Sequence, residues 1–195
     1  MRVTVCIPTI PVRGTLLTRA VQSVVAQSRP AAAISIAADL DRQGAGPTRT
    51  RAIEAATTDW VALLDDDDEL YPQHLERLCA HAVETGADLV FPWFDTQPAG
   101  GDPFIDEQGR PTHEGRPWDP AAPHMFPVTV LARRDLLLTV GGFGPPQDPD
   151  GWCSGEDWHT WLELAAVGAT IVHLPERTWV WHHDSANTSG MPNRW

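Results

Sequence analysis

The chain has 195 residues, 42% of them hydrophobic, which is enough to bury one sizeable core and short for two, so a single domain over residues 1–195 is expected. A formal net charge of −12, with 14 arginines and no lysine, leaves no basic patch to release counterions. That balance argues against DNA, RNA and acidic membrane surfaces as partners. Cys6, Cys79 and Cys153 are odd in number and far apart without a CxxC pair, which fits reduced thiols in a cytoplasmic protein. The first residues are broken too soon by Pro8 for a signal peptide, and no apolar run approaches a membrane span, so a soluble protein is expected.

In chain order, Val3 to Ile7 is a β-rich apolar run ended by Pro8. Leu16, Leu17, Ala20, Val21, Val24 and Val25 then recur on one helical face. Ala33 to Ala37 reads as a second strand, Asp39 to Pro47 as a polar loop, Thr48 to Thr57 as a second helix, and Trp60 to Leu64 as a buried strand. This βαβαβ order predicts a parallel sheet covered by helices on both faces. A helix from Pro72 to Glu84 places Leu75, Leu78, Cys79, Ala82 and Val83 inward and stops at Gly86, and Ala87 to Trp93 follows as a strand.

From Thr96 to Pro127 the chain turns to Pro, Gly, Asp and His with little periodicity, a length of irregular chain that is usually functional or disordered. Val128 to Leu131 is strand-like, Arg133 to Thr139 a short helix, and Gly141 to Pro146 a turn leading to a second Pro/Gly/Asp loop. An amphipathic helix from Glu156 to Val167 and two strand-like runs, Thr170 to His173 and Thr178 to Trp181, complete the pattern. Gly44-Ala45-Gly46 is similar in outline to a dinucleotide loop but lacks the third glycine and does not follow the first strand, so it reads as a turn.

The densest chemistry is Asp65-Asp66-Asp67-Asp68-Glu69, directly after the third strand. In such a sheet ligands sit beyond the carboxyl ends of the strands. Carboxylates packed this tightly repel one another, and hard oxygen donors suit Mg²⁺ or Mn²⁺, which usually arrive with a phosphorylated substrate. Acids are also favoured at a helix start, with Pro72 suited to the first turn, but capping uses one or two of them and here there are five.

Together these segments resemble the GT-A glycosyltransferases, and in particular their family 2. Val3 to Thr9 looks like that family's opening strand, and Thr48-Arg49-Thr50 stands where the family has Ala-Arg-Asn. Leu64 to Asp68 resembles its LDxDD form of the DxD motif. Gly141-Gly142-Phe143 and Glu156-Asp157-Trp158 resemble its GGF and ED motifs, in the expected order. The chain departs from the pattern at Ile10-Pro11, which replaces Tyr-Asn, and at Thr50, which replaces Asn.

The resemblance implies a single α/β domain of the GT-A type, with residues 1–94 as the nucleotide-sugar-binding half and 95–195 as the acceptor and catalytic half. It implies a metal-dependent inverting glycosyltransferase using Mn²⁺ or Mg²⁺ and a nucleotide-sugar, with UDP the commonest nucleotide of such enzymes, and an acceptor of unspecified kind. By position, Thr9 and Asp39 would contact the base, Arg49 the nucleotide, Asp65 and Asp66 the ribose or sugar, and Asp67 the metal. A histidine after the last strand often reaches the metal in this family. Neighbouring side chains of an extended segment point to opposite faces, so at most one of His182 and His183 would do so, with His183 preferred.

Asp157, with Glu156 beside it, is the candidate base. Ser154-Gly155-Glu156-Asp157 also satisfies a capping box, and the two roles are compatible because a carboxylate at a helix N-terminus stays ionised. Nine tryptophans are many for this length. Most fit a packing role, but Trp118 and Trp152 fall in the irregular loops, where an aromatic face could stack on an acceptor sugar. Two other readings use the same acids: a metal-dependent nucleotidyltransferase, and a degenerate module that holds a nucleotide-sugar without turnover.

Overall fold

The computed structural model describes residues 1–97, 128–144 and 156–182. The described residues form seven strands and five helices: β1 (Val3–Thr9), a 3-10 turn (Pro11–Arg13), α1 (Gly14–Val25), β2 (Ala33–Ala38), α2 (Ala45–Ala55), β3 (Trp60–Leu63), β4 (Glu69–Leu70), α3 (His74–Thr85) and β5 (Leu89–Gln97), followed by β6 (Leu131–Arg133), α4 (Arg134–Thr139), α5 (Glu156–Ala166) and β7 (Ile171–His182). They form one sheet in the order β2-β1-β3-β6-β5-β7-β4. β1 pairs in parallel with β2 and β3, and β5 with β7, while β6 runs antiparallel to both β3 and β5. The short β4 joins β7 antiparallel.

Strand periodicity of two explains the two cores. Val3, Val5 and Ile7 of β1, with Ala62 and Leu64 at β3, pack against Ala20 and Val24 of α1 and Leu75, Leu78 and Ala82 of α3. Cys6, Val61 and Leu63 point the other way, onto Ala52 and Ile53 of α2, Leu137 of α4, and Trp161 and Leu164 of α5. Each fully buried branched side chain contributes about 1.5–3 kcal/mol, so both helical layers are held by the same central strands. Cys6 and Cys79 are free, buried thiols, and burial pushes the Cys6 thiol up to about 12. No described helix is long and apolar enough to cross a membrane.

Several boundaries differ from the sequence reading. α2 begins at Ala45 inside the expected polar loop, because Asp39 accepts hydrogen bonds from the backbone N–H groups of Gln43 and Gly44 and so fixes the chain just ahead of the helix. Pro47 is tolerated there because first-turn N–H groups have no intrahelical partner. β4 was not expected, since two residues carry no periodicity and their partners, Val180 and Trp179, lie more than a hundred residues away. β7 is one strand where two were expected. The chain passes Pro175 through a register shift against Pro92, Trp93 and Phe94, a bulge of the kind that lets a strand absorb a proline.

His74, at the start of α3, is fully buried, and its Nδ1 shares a 2.8 Å hydrogen bond with the Thr178 hydroxyl of β7. Burial pushes its imidazole down to about 3 from 6.5, so the folded protein keeps it neutral while the unfolded chain takes up a proton below pH 6.5. This contribution to stability is complete above pH 6.5 and is lost progressively as pH falls toward 3. Urea unfolding at pH 7.5 and 5.0 should show wild type losing about 2 kcal/mol more than His74→Gln over that interval. Parallel pH profiles for the two proteins would assign the acid sensitivity elsewhere.

Candidate active site

The site forms where β1 and β3 end side by side. Leu64 N–H donates to the Cys6 carbonyl, so the chain leaves β3 still attached to β1, and an Asp68 N–H to Asp65 carbonyl bond closes the following turn. Within that turn Asp66 and Asp68 are buried, whereas Asp65 and Asp67 are partly exposed. β4 then ties the end of the turn to β7.

Each acid meets a counter-group from a different element. Arg49 of α2 donates to Asp65 Oδ1 at 2.7 Å. Arg13, at the end of the 3-10 turn, reaches both Asp66 Oδ1 at 2.9 Å and Asp67 Oδ2 at 3.2 Å through one Nη1. The Thr9 hydroxyl donates to Asp66 Oδ2 at 2.6 Å. Arg19 of α1 donates to the Asp67 carbonyl and lies 3.9 Å from Glu69. Asp68 Oδ1 accepts the His182 backbone N–H at 3.0 Å, and the His182 ring is 3.4 Å from the Glu69 carboxylate.

One oxygen from each of Asp65, Asp67 and Asp68 lies within 4.8 Å of the others. Burial, together with the negative charges of Asp65 and Asp66, pushes Asp67 up to about 7 against the pull of Arg13. Burial and the charges of Asp67 and Asp65 raise Asp68 well above the usual carboxylate range, and burial also raises Asp66 despite its bonds to Thr9 and Arg13. With all five acids ionised, as a bound cation would require, three guanidiniums would leave two negative charges uncompensated. Three hard carboxylates with that excess fit one Mn²⁺ or Mg²⁺.

The residues singled out from sequence divide into groups. Arg49, Asp65, Asp66, Asp67 and His182 all gather around the acid turn, together with Thr9, which braces Asp66. Asp39 sits at the end of β2, where its carboxylate accepts from the backbone of Gln43 and Gly44 and lies 3.7 Å from Arg51. Asp157 is in the first turn of α5, where its Oδ1 accepts the Trp158 N–H at 2.8 Å. Glu156 is the first residue of that helix. Ser154, His183, Trp118 and Trp152, and the side chain of Glu156, lie outside the described residues.

Sequence reading missed Arg13 and Arg19, and it gave Asp68 no role of its own within the acid run. The only signal for the arginines is their short distance after the first strand, and for Asp68 it is membership of the acid run. It also missed what Thr50 does. Its Oγ1 accepts the Phe143 N–H at 2.7 Å and donates to the Phe143 carbonyl at 3.0 Å, clasping the Gly-Gly-Phe turn to α2. Arg49, one residue earlier, lies over the Phe143 ring at 5.1 Å, and the Phe143 ring meets Trp161 of α5 edge-on at 5.5 Å. Thr160 of α5 donates to the Gly142 carbonyl. The turn thus links the helix that bears Arg49 to the helix that bears Asp157.

A sequence model of the family described as Glycosyl transferase family 2 matches residues 36–141, more than half of the chain. Among solved structures, that of S. aureus TarS residues 1–349 in complex with UDP-GlcNAc is similar over 98% of this chain and 61% of its own, with a TM-score of 0.78 and 15% identity. The same fragment in complex with UDP is similar over 95% and 62%, with a TM-score of 0.73 and 15% identity. At that identity the likeness is one of fold, and the chain spans about three-fifths of the TarS fragment. No curated protein matches the chain.

Gly142 has φ +71°, and a Cβ added there would stand 2.5 Å from Thr50 Oγ1 and 2.7 Å from its Cγ2. Gly142→Ala should therefore destabilise the protein by about 1–3 kcal/mol, through the left-handed backbone and the collision together. In a Thr50→Ala background the same change should cost less, because the collisions with Oγ1 and Cγ2 are gone and only the left-handed backbone and a 3.2 Å approach to Cβ remain. Equal costs in urea unfolding of the two backgrounds would show that the close approach is unimportant.

Proposed function

The chain belongs to glycosyl transferase family 2, and from that premise we propose that it is a metal-dependent, inverting glycosyltransferase that moves a sugar from a UDP-sugar to an acceptor hydroxyl. The observation that carries the metal dependence is the convergence of Asp65, Asp67 and Asp68 just after β3, with one oxygen of each within 4.8 Å of the others. The UDP-GlcNAc and UDP complexes of TarS, whose fold this chain shares, support a uridine donor.

In this reading residues 1–94 hold the donor and 95–195 carry the base and the acceptor side, with Trp118 and Trp152 offered to an acceptor sugar. A cytoplasmic location goes with the free thiols of Cys6 and Cys79. Bound Mn²⁺ or Mg²⁺ supplies positive charge where the nucleoside diphosphate departs. Asp65, Asp67 and Asp68 hold the cation, with His183 or His182 adding an imidazole. Arg49, fixed over Phe143, aligns Asp65 beside the nucleotide, and Thr9 and Asp39 shape the base pocket through the turns they brace. Asp157 accepts the proton of the acceptor hydroxyl as that oxygen attacks the anomeric carbon, and Glu156 next to it is the alternative base. Because the α5 N-terminus favours its ionised form, Asp157 is ready to act as a base near neutral pH. One displacement without a covalent intermediate inverts the anomeric centre.

Thermal-shift measurements test the donor site first. UDP-GlcNAc with Mn²⁺ should raise the melting temperature of wild type through selective binding to the folded state. Asp67→Ala should melt without collapse of the fold yet lose the Mn²⁺-dependent part of that rise, since it removes a ligand and relieves repulsion. An undiminished Mn²⁺-dependent shift in the variant would remove Asp67 from the metal site.

Catalysis is tested at Asp157. Asn keeps an oxygen that can accept the Trp158 N–H but cannot take a proton, so Asp157→Asn should retain stability and donor binding while slowing sugar transfer by roughly 10²-fold or more. Release of UDP, and not pyrophosphate, is the readout that separates transfer of sugar from transfer of a nucleotidyl group. A variant that transfers at the wild-type rate but melts markedly earlier would mean that Asp157 serves the helix.

A further inference from the structure

Arg13 stands out among the groups around the acid turn because its Nη1 touches both sets of acids. Asp66, at 2.9 Å, is buried and braced by Thr9, whereas Asp67, at 3.2 Å, is one of the three residues that converge for a cation. A guanidinium bound to Asp67 and a divalent cation bound to the same carboxylate would repel each other across a few ångströms of partly buried space. A diphosphate brings at least two negative charges and several acceptor oxygens to that place, and a guanidinium pairs well with phosphate. The side chain hangs from a 3-10 turn with no side-chain cap at its start, and it is 13% exposed, so it lies at the boundary of the site.

Resting on the donor-site reading above, we propose that Arg13 is an exchangeable counter-ion, which holds Asp67 in the free protein and passes to the donor's diphosphate when the cation takes Asp67. Nucleotide and cation then bind synergistically, because each removes the obstacle to the other. Thermodynamic reciprocity makes the effect of UDP on Mn²⁺ affinity equal to the effect of Mn²⁺ on UDP affinity. Arg19 serves as the internal comparison. It carries the same charge to the same turn, but it donates to the Asp67 carbonyl and faces Glu69, not the Asp67 carboxylate.

The experiment is calorimetric titration of Mn²⁺ with and without UDP, and of UDP and uridine with and without Mn²⁺, for wild type, Arg13→Gln and Arg19→Gln. Arg13→Gln should bind Mn²⁺ alone about tenfold more tightly, and bind UDP about tenfold more weakly in the presence of Mn²⁺, with uridine affinity unchanged. Its coupling between UDP and Mn²⁺ should fall toward one, while Arg19→Gln keeps the wild-type coupling. An unchanged coupling ratio in Arg13→Gln, or an equal loss in Arg19→Gln, would overturn the exchange and leave the donor site standing. Failure of wild type to bind either Mn²⁺ or UDP would overturn the donor site and the exchange with it.

Discussion

Mutual repulsion among five consecutive acids is the constraint on which the arrangement of this protein turns. A turn of that charge at the end of a buried strand is stable only if its neighbours bring positive charge or N–H groups, because partly buried carboxylates interact far more strongly than they do in water. Here the neighbours come from every direction: Arg13 and Arg19 from the segment after β1, Arg49 from α2, and the backbone of His182 from β7. The acid turn therefore ties the two ends of the sheet together. When ionised, its acids outnumber the guanidiniums around them by two, and that imbalance supports the cation proposed for the site.

The same constraint explains why β4 exists. Two residues of strand contribute little by themselves, but pairing Glu69 and Leu70 with Val180 and Trp179 brings the end of β7 against Asp68 and Glu69. His182 reaches the site because of this pairing. A histidine beside the acid turn is thus positioned by a contact across more than a hundred residues, which no local pattern encodes.

What was legible in the sequence follows the range of the interactions involved. β1 and β3 are visible as apolar runs because both of their faces are buried, α1 and α3 as periodicity because each buries one regular face, and Gly86 as the stop of α3 because that position needs a left-handed backbone. The reversed direction of β6, the continuity of β7 past Pro175 and the existence of β4 depend on partners remote in sequence, so the expected two strands at 170–181 proved to be one. In the site, the acids, Arg49 and the Gly-Gly-Phe turn could be found by order and spacing. Arg13 and Arg19 could not, since an arginine on an exposed turn or amphipathic helix is ordinarily a solvated surface group and only the folded sheet sets these two against the acid turn.

Thr50 shows how a departure from a family pattern can be structural. An asparagine at that position would offer a longer, planar amide, whereas the short hydroxyl here both accepts from and donates to Phe143 and leaves room for only a hydrogen at Gly142. That clasp sets the Phe143 ring beneath Arg49 and against Trp161, so the orientation of Arg49 and the placement of α5 are fixed by one residue pair. Because Thr160 of α5 also holds the Gly142 carbonyl, a shift of the turn would carry the first turn of α5, and Asp157 with it. The placement of Asp157 relative to Arg49 is in this sense a packing property of the Gly-Gly-Phe turn, transmitted through two threonines and one aromatic contact.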